Sequence, residues 1–206
     1  MANLGYNKGL TLDNLGHHDE AIRCYDRTLV SDPKHALAWY NKGVALIKLE
    51  RYDEAIQCCD RVLEINPGDV GAWHNRATAF SRSGRYDEAI RCCDHILEID
   101  PGHIEAWFSK GGSLLKSGRY DEAIRCYDRV LEIDPGDIGA WFNKGSSLLK
   151  SGRCDEATRC YDRVLEIDPE YAEAWNNKGI ALNKLGRHGE AARCYKRAKE
   201  IERLRT

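Results

Sequence analysis

The chain has nine cysteines, whose thiols could bind a metal ion or take part in redox chemistry. No two of them have the C-x2-C spacing of a zinc site. Helices that pack side by side lie about 8–10 Å apart, farther than the Cα separation of about 7 Å that a disulfide tolerates. We therefore interpret the cysteines as small packing residues in a reducing compartment, with soft-metal binding or redox sensing as the alternative. Six of them recur at steps of 34 residues: Cys24, Cys58, Cys92, Cys126, Cys160 and Cys194.

Histidine and carboxylate side chains show no pattern of a catalytic or metal site. The seven histidines share no ligand spacing. An Asp-Glu pair recurs five times, as at Asp121 and Glu122. We interpret it as capping of helix starts, because a catalytic dyad would occur once. The motifs G-x4-G-K-[ST], GxGxxG and GxSxG are absent. The sequence therefore predicts a protein that is not an enzyme, with no cofactor and no metal site.

A repeat of 34 residues divides the chain into units of secondary structure. All five tryptophans and all five prolines are spaced by this step. Two of the units, 104–137 and 138–171, differ at only seven of 34 positions, which indicates duplication or design. The six predicted units are 2–35, 36–69, 70–103, 104–137, 138–171 and 172–205.

Each unit has the pattern of two helices joined by a turn. In 104–137, apolar residues recur at helical spacing up to Gly118, which can adopt the left-handed conformation that ends a helix. A second helical pattern follows until Pro135, and Asp137 can cap the next helix. No stretch alternates with a period of two. The sequence predicts an all-α chain of stacked units, because one helix pair cannot bury its apolar surface alone.

Composition and charge narrow the function classes. Hydrophobic residues make up 42% of the chain and charged residues 31%, which is enough apolar material for a packed core. The formal net charge of -2 gives no general attraction to nucleic acids or anionic membranes. No apolar run approaches the roughly 20 residues of a membrane span. We expect a cytoplasmic protein with no membrane partner.

The segments AWFSKGGSLL, GRYDEA and CYDRVLEIDP, with their copies, resemble the tetratricopeptide repeat over essentially the whole chain. The resemblance implies an α-solenoid, a right-handed superhelix of six helix-turn-helix units that forms one array over residues 1–206. It also implies that the first helices line a concave groove that binds proteins. Two end units depart from the pattern, with Gly5 in place of tryptophan and Arg203 in place of proline.

The first helices carry the candidate binding residues. The first fifteen positions of the units hold eleven Lys or Arg against four Asp or Glu. By the resemblance, groove asparagines hydrogen-bond the backbone of a bound peptide, and an amide suits this role because it both donates and accepts. The alternative is that the asparagines and neighbouring aromatics stabilise packing between units and that the lysines are only solvated. The candidate groove residues are Asn7, Asn41, Asn75, Asn143, Asn177, Tyr40, His74, Phe108, Phe142, Lys48, Arg82, Lys116 and Lys150.

The sequence therefore predicts a scaffold that binds an extended peptide or a partner helix, acidic with apolar anchors. The alternative is a structural array, natural or engineered, that self-assembles through its terminal repeats. Leu4, Tyr6 and Leu12 have no preceding helix to cover them, which would allow a homo-oligomer through the N-terminal repeat, whereas Lys199 and Arg203 make the other end polar. RNA binding is least favoured, because helical RNA-reading repeats vary their base-contacting side chains and these units vary little.

Overall fold

The computed structural model describes residues 2–205, which form twelve α-helices and no strand. The first helices of the six pairs begin every 34 residues, and so do the second helices, which confirms the all-α class and the helix-turn-helix unit. No helix in this range combines the length and hydropathy needed to cross a bilayer. The first helices are α1 (Ala2–Asn14), α3 (Ala36–Lys48), α5 (Val70–Arg82), α7 (Ile104–Lys116), α9 (Ile138–Lys150) and α11 (Ala172–Lys184); the second helices are α2 (His18–Ser31), α4 (Tyr52–Ile65), α6 (Tyr86–Ile99), α8 (Tyr120–Ile133), α10 (Cys154–Ile167) and α12 (His188–Arg205).

The turn between the two helices of a pair contains a left-handed residue. Gly118 has a φ of 81°, as its position predicts. The second pair is the exception, because Glu50 stands at this place with a φ of 59°. This conformation costs an ordinary residue about 1–2 kcal/mol. The remaining pairs have Gly16, Gly84, Gly152 and Gly186 with positive φ.

Helix starts are stabilised differently in first and second helices. Asp137 accepts a hydrogen bond from the backbone N–H of Ala140 at 2.7 Å, which confirms the predicted N-cap of α9. The second helix α8 follows Arg119, which makes no side-chain cap and instead donates twice to Glu122 at 2.7 Å. The predicted place of the Asp-Glu pair at the helix start is confirmed, but the N-cap itself is Arg119, which makes no side-chain cap. The pair lies in the first turn, where its charge suits the positive end of the helix dipole.

Contacts divide the helices into two compact units, residues 1–109 and 110–206, with the boundary inside α7. In each unit consecutive helices pack together, α1 to α6 in the first and α8 to α12 in the second, which is the arrangement of an α-solenoid. The first unit buries Leu46 and Phe80 in its core, and the second buries Leu148 and Tyr161. The right-handed sense of a superhelix stays a prediction.

The shared spacing of tryptophan and proline has a structural cause. The indole N–H of Trp39 donates to the carbonyl oxygen of Pro33 at 2.9 Å. The proline lies in the turn before the helix, so this bond ties each first helix to the turn that precedes it. Gly5 of α1 has no side chain to make it. The same bond, also at 2.9 Å, joins Trp73 to Pro67, Trp107 to Pro101, Trp141 to Pro135 and Trp175 to Pro169.

Candidate peptide-binding site

Two of the five predicted asparagines are engaged in packing between helix pairs. Asn41 on α3 donates its side-chain N–H to the hydroxyl of Tyr6 on α1 at 2.9 Å and to the backbone carbonyl of Leu37 at 2.9 Å. Asn177 on α11 hydrogen-bonds the Tyr161 hydroxyl on α10. That bond opposes the effect of burial, which raises the pKa of Tyr161 to about 12. At these two positions the alternative of a packing role fits the contacts.

The other three asparagines have different surroundings. The side-chain nitrogen of Asn75 on α5 is buried and has no hydrogen-bond partner. The tyrosine that contacts Asn177, Tyr161, is replaced by Cys59 at the equivalent position of the repeat that precedes Asn75. Asn75 therefore has no tyrosine hydroxyl at this place. A buried amide left unsatisfied costs about 1–3 kcal/mol. Asn143 on α9 is half-buried and Asn7 on α1 is exposed. Asn75 therefore has unused hydrogen-bonding capacity where Asn41 and Asn177 have little.

Two of the predicted aromatic side chains lie against the neighbouring helix pair. The ring centroid of Phe142 on α9 is 5.2 Å from that of Tyr171 and 5.9 Å from that of Tyr161. Tyr40 on α3 lies beside Gly71 at the start of α5, where an added Cβ would come within 3.0 Å of the Tyr40 ring. Both rings are half-buried, so part of each is open to a ligand.

His74 on α5 and Phe108 on α7 occupy the same repeat position and are also half-buried. Burial lowers the pKa of His74, and the nearby His103 lowers it further. The imidazole is therefore neutral at pH 7 and offers one donor and one acceptor. It contributes no positive charge to this surface.

The cations in the last turns of the first helices differ in their pairing. Lys48 on α3 lies 3.0 Å from Asp13 of α1, whose other oxygen is 2.6 Å from the His18 ring nitrogen. The other three cations among the predicted groove residues, like Lys184 on α11, are exposed and form no salt bridge with any residue in the described range. These are Arg82 on α5, Lys116 on α7 and Lys150 on α9. The unpaired positive charge predicted for the groove is therefore present at these three positions and neutralised at Lys48.

A second row of cations on the first helices pairs with the preceding second helix. Lys42 of α3 donates to Asp26 of α2 at 2.6 Å, and the Arg76 Nε of α5 lies 2.8 Å from Asp60 of α4. Each such cation also lies 5.3 to 5.5 Å from the ring centroid of the tryptophan on its own helix. The charge available for a ligand is smaller than the sequence indicates, because this row is paired. In the second unit, Lys144 pairs with Asp128 and Lys178 with Asp162.

Two concavities of the first unit lie along the tryptophan side of the first helices, which the sequence analysis did not single out. One, of about 430 Å³, lies between α3 and α4 and is lined by Trp39 and Lys42. The other, of about 300 Å³, lies between α5 and α6 and is lined by Trp73 and Arg76. They occupy equivalent positions in successive repeats. In the sequence, a tryptophan followed three residues later by a cation, one helical turn away, recurs in each of these repeats and could have indicated the concavities.

The nine cysteines are all buried and unbridged, as a packing role requires. Burial raises the pKa of Cys58 to about 11 and of Cys59 to about 12. Both are therefore neutral thiols at pH 7, and the thiolate is the reactive form of cysteine. Within the range that the structure covers, no group of three or more His, Cys, Asp or Glu side chains is placed to hold a metal ion.

Three family models described as tetratricopeptide repeat match this chain. One matches residues 6–70 and 142–203, the second residues 80–146 and the third residues 46–106. A comparison with curated proteins found no match.

Solved structures share the fold at low sequence identity. MamA from residue 41 to its end, from Desulfovibrio magneticus RS-1, is 21% identical with a TM-score of 0.77, and the match covers 82% of this chain and 96% of that one. The structure named MamA MSR-1 C2 is 23% identical with a TM-score of 0.71, covering 83% and 98%. YrrB, described as a TPR protein with an unusual peptide-binding site, is 21% identical with a TM-score of 0.70, covering 86% and 91%. At these identities the likeness shows the fold alone.

Proposed function

Because this chain belongs to the tetratricopeptide repeat family, we propose that it is a non-catalytic scaffold whose first helices bind an extended peptide or a partner helix. The bound segment is acidic and carries apolar side chains. Membership of a family of protein-interaction scaffolds supports the general role. The surface chemistry supports the ligand class.

The observation that carries the proposal is the row of unpaired cations at Arg82, Lys116 and Lys150. All three are exposed and lack a salt bridge to any described residue. Paired cations on the same helices, such as Lys144 on α9, already have their carboxylates. An acidic segment would supply the missing negative charge. Since these charges are exposed, the attraction weakens as salt concentration rises.

The helix α9 offers the apolar anchor and the backbone contact together. Phe142 and Leu149 are seven residues apart and both half-buried, so they share one face of the helix. Asn143 and Lys150 are also seven apart and lie next to them. A peptide along this face would place an apolar side chain against Phe142 and Leu149. Its backbone would hydrogen-bond Asn143, and its carboxylate would pair with Lys150.

We assign the peptide-backbone role to Asn143, a packing role to Asn41 and Asn177, and no ligand contact to the buried side-chain nitrogen of Asn75. Asn41 and Asn177 already bond a tyrosine hydroxyl, whereas the Asn75 nitrogen has no partner. The role of Asn7 stays a prediction. Loss of a ligand bond at Asn143 should lower affinity by about 3- to 10-fold.

The test begins with phage display under reducing conditions at low and at physiological salt. An enriched motif with acids beside apolar residues is expected, and Lys150→Ala and Asn143→Ala should weaken its binding in fluorescence anisotropy. The matched control is Lys196→Ala, which removes an exposed charge from α12. Absence of enrichment, or equal losses with Lys196→Ala and Lys150→Ala, would contradict the proposal.

A second function is favoured by the exposed apolar residues of the first helix pair. Leu4 on α1 is 80% exposed, and Val30 on α2 is 84% exposed. We propose that this end joins copies of the chain, whereas α12 at the other end exposes the charged Lys199 as well as Leu204, which is 81% exposed. The five other repeats have fully buried alanine at the position of Leu4, namely Ala38, Ala72, Ala106, Ala140 and Ala174, and glutamate at the position of Val30, namely Glu64, Glu98, Glu132, Glu166 and Glu200.

The other repeats show which substitutions the fold tolerates at Leu4 and Val30. Leu4→Ala and Val30→Glu introduce the residues that those repeats use. Sedimentation velocity should show an oligomer for the unaltered chain and a monomer for the double variant. Ile99→Glu, which alters a half-exposed isoleucine on α6, is the control and should leave the oligomer intact. A monomeric unaltered chain at high concentration would dispose of this function.

RNA binding stays the least favoured function, since the second row of cations is already paired with carboxylates. We expect no salt-sensitive binding of single-stranded RNA in anisotropy titrations. The cytoplasmic location stays a prediction.

A further inference from the structure

The cleft between α5 and α6, here called the third-repeat cleft, differs in chemistry from the equivalent places in the chain. Its volume is about 300 Å³, and it is lined by Trp73, Arg76, Phe80, Glu88, Arg91 and His95, with the buried Cys92 below them. It lies on the tryptophan side of α5, apart from the candidate groove residues. It belongs entirely to the first compact unit.

The other repeats show which residues the fold itself needs here. At the position of Arg76 the five other repeats have lysine, and at the position of Phe80 they have leucine. Lysine and leucine therefore satisfy the packing of this helix pair. Arginine and phenylalanine occur together in the third repeat alone. The lysines are Lys8, Lys42, Lys110, Lys144 and Lys178, and the leucines are Leu12, Leu46, Leu114, Leu148 and Leu182.

The Arg76 guanidinium is held between two rings with donors to spare. Its carbon lies 5.3 Å from the Trp73 ring centroid and 5.2 Å from that of Phe80. Its Nε is 2.8 Å from an oxygen of Asp60 but is not aligned for a hydrogen bond, so this buried N–H has no acceptor. One terminal nitrogen donates to the Cys92 sulfur at 3.8 Å, a weak acceptor. Arginine has five N–H donors, and most of these remain unused.

Asp60 offsets the charge of Arg76 through the Nε side of the guanidinium, so the cleft offers the other N–H donors of Arg76 and the charge of Arg91. Arg91 on α6 is exposed and forms no salt bridge with any residue in the described range. Glu88 is the one acid among the lining residues, and Arg85 already donates to it at 3.3 Å. His95 pairs with Glu98 outside the cleft at 3.2 Å.

We propose that the third-repeat cleft binds a carboxylate side chain of an acidic protein segment. Arg76 and Arg91 donate to the carboxylate, and the Trp73 and Phe80 rings restrict where the Arg76 guanidinium can lie, although Phe80 also contacts the Arg85 guanidinium at 4.5 Å. Arginine suits this role better than lysine because its planar fork matches a carboxylate bidentately. The equivalent cleft of the second repeat has more acids than bases, because Glu54, Asp60 and Glu64 line it together with Lys42 and Arg61. The inference is independent of the proposed groove function.

The test follows the arginine side chains directly. The full chain labelled with ¹⁵N is titrated with an acetylated, amidated hexapeptide of alternating Leu and Asp, and the arginine Nε–H signals are recorded by NMR. The Arg76 signal, identified by its loss in Arg76→Lys, should shift with the acidic peptide and not with the same peptide carrying Asn. An Arg76 signal that the acidic peptide leaves unmoved would overturn the proposal. An equal response to inorganic phosphate at the same concentration would also overturn it, because the cleft would then bind any anion.

Affinity measurements with variants complete the test. Arg76→Lys should lower the affinity of this site by about tenfold, since a bidentate contact is lost, and its fold is expected to persist because five repeats use lysine. Arg91→Ala, at an exposed position, should weaken binding without affecting stability. The matched Lys144→Arg variant should gain no site, because Leu148 replaces the second ring there. An affinity unchanged in both Arg76→Lys and Arg91→Ala would refute the assignment. Groove variants such as Lys150→Ala should leave the Arg76 response intact, so the two proposals fail separately.

Discussion

Gly145 of α9 packs directly on the ring of Tyr161 of α10, so closely that a Cβ placed on Gly145 would lie 2.8 Å from the nearest ring carbon. Gly111 and Tyr127 make the same contact, with a Cβ-to-ring distance of 2.9 Å. A methyl group cannot enter this space without separating the helices or displacing a buried tyrosine. The two helices of each of these two pairs are therefore in contact at the glycine.

We expect Gly145→Ala to destabilise the protein by about 1–3 kcal/mol, the usual cost of overpacking a tight core. Gly43→Ala should cost less, because Cys59 stands in place of the tyrosine and the nearest atom to an added Cβ, Cβ of Cys58, is 3.3 Å away. The chain itself has Ala77 at this repeat position. Urea unfolding of both variants provides the comparison. Equal losses at the two sites would mean that the tyrosine ring is not the obstacle.

We expect Glu50→Gly to stabilise the protein by about 1 kcal/mol. Glu50 has a φ of 59°, and glycine adopts this conformation without the steric penalty of a Cβ. Gly84, with a φ of 82°, offers the reverse experiment, since Gly84→Glu should destabilise by a similar amount. Thermal or urea unfolding measures both changes. A Glu50→Gly variant no more stable than the unaltered chain would show that the strain is relieved elsewhere.

The buried thiols predict a loss of stability at high pH. Burial raises the pKa of Cys58 to about 11 and of Cys59 to about 12, from 9.0 for an exposed thiol. The folded state therefore holds these protons more tightly than the unfolded state. The resulting stabilisation is complete below pH 9 and is lost as pH rises from about 9 to about 12.

The melting temperature should accordingly fall between pH 8 and pH 10.5, under reducing conditions. Cys59→Val, which keeps the volume but cannot ionise, should reduce that fall. Burial also raises the pKa of Tyr161, which adds a loss of stability of its own at high pH, so the comparison of the variant with the unaltered chain isolates the thiol. The same pH dependence in both proteins would contradict the assignment.

Local features of the fold could be predicted because each depends on residues close in sequence. The left-handed Gly118 and the N-cap Asp137 are set by a few neighbouring residues, and the structure has both. The role of Asn41 could not be predicted in this way, since its partner Tyr6 lies 35 positions earlier. The unsatisfied Asn75 likewise depends on Cys59, which belongs to another helix.

The architecture can be predicted from the sequence, because a 34-residue period with helical spacing and fixed turn residues allows only stacked helix pairs. The charges available for a ligand cannot be predicted in this way, because they depend on how the helices pack. Lys42 and Lys48 lie on the same helix, yet Lys42 meets Asp26 of α2 and Lys48 meets Asp13 of α1. Sequence spacing sets the direction of a side chain around its own helix. The partner it meets depends on which other helix packs there, and that is fixed by contacts between residues distant in sequence.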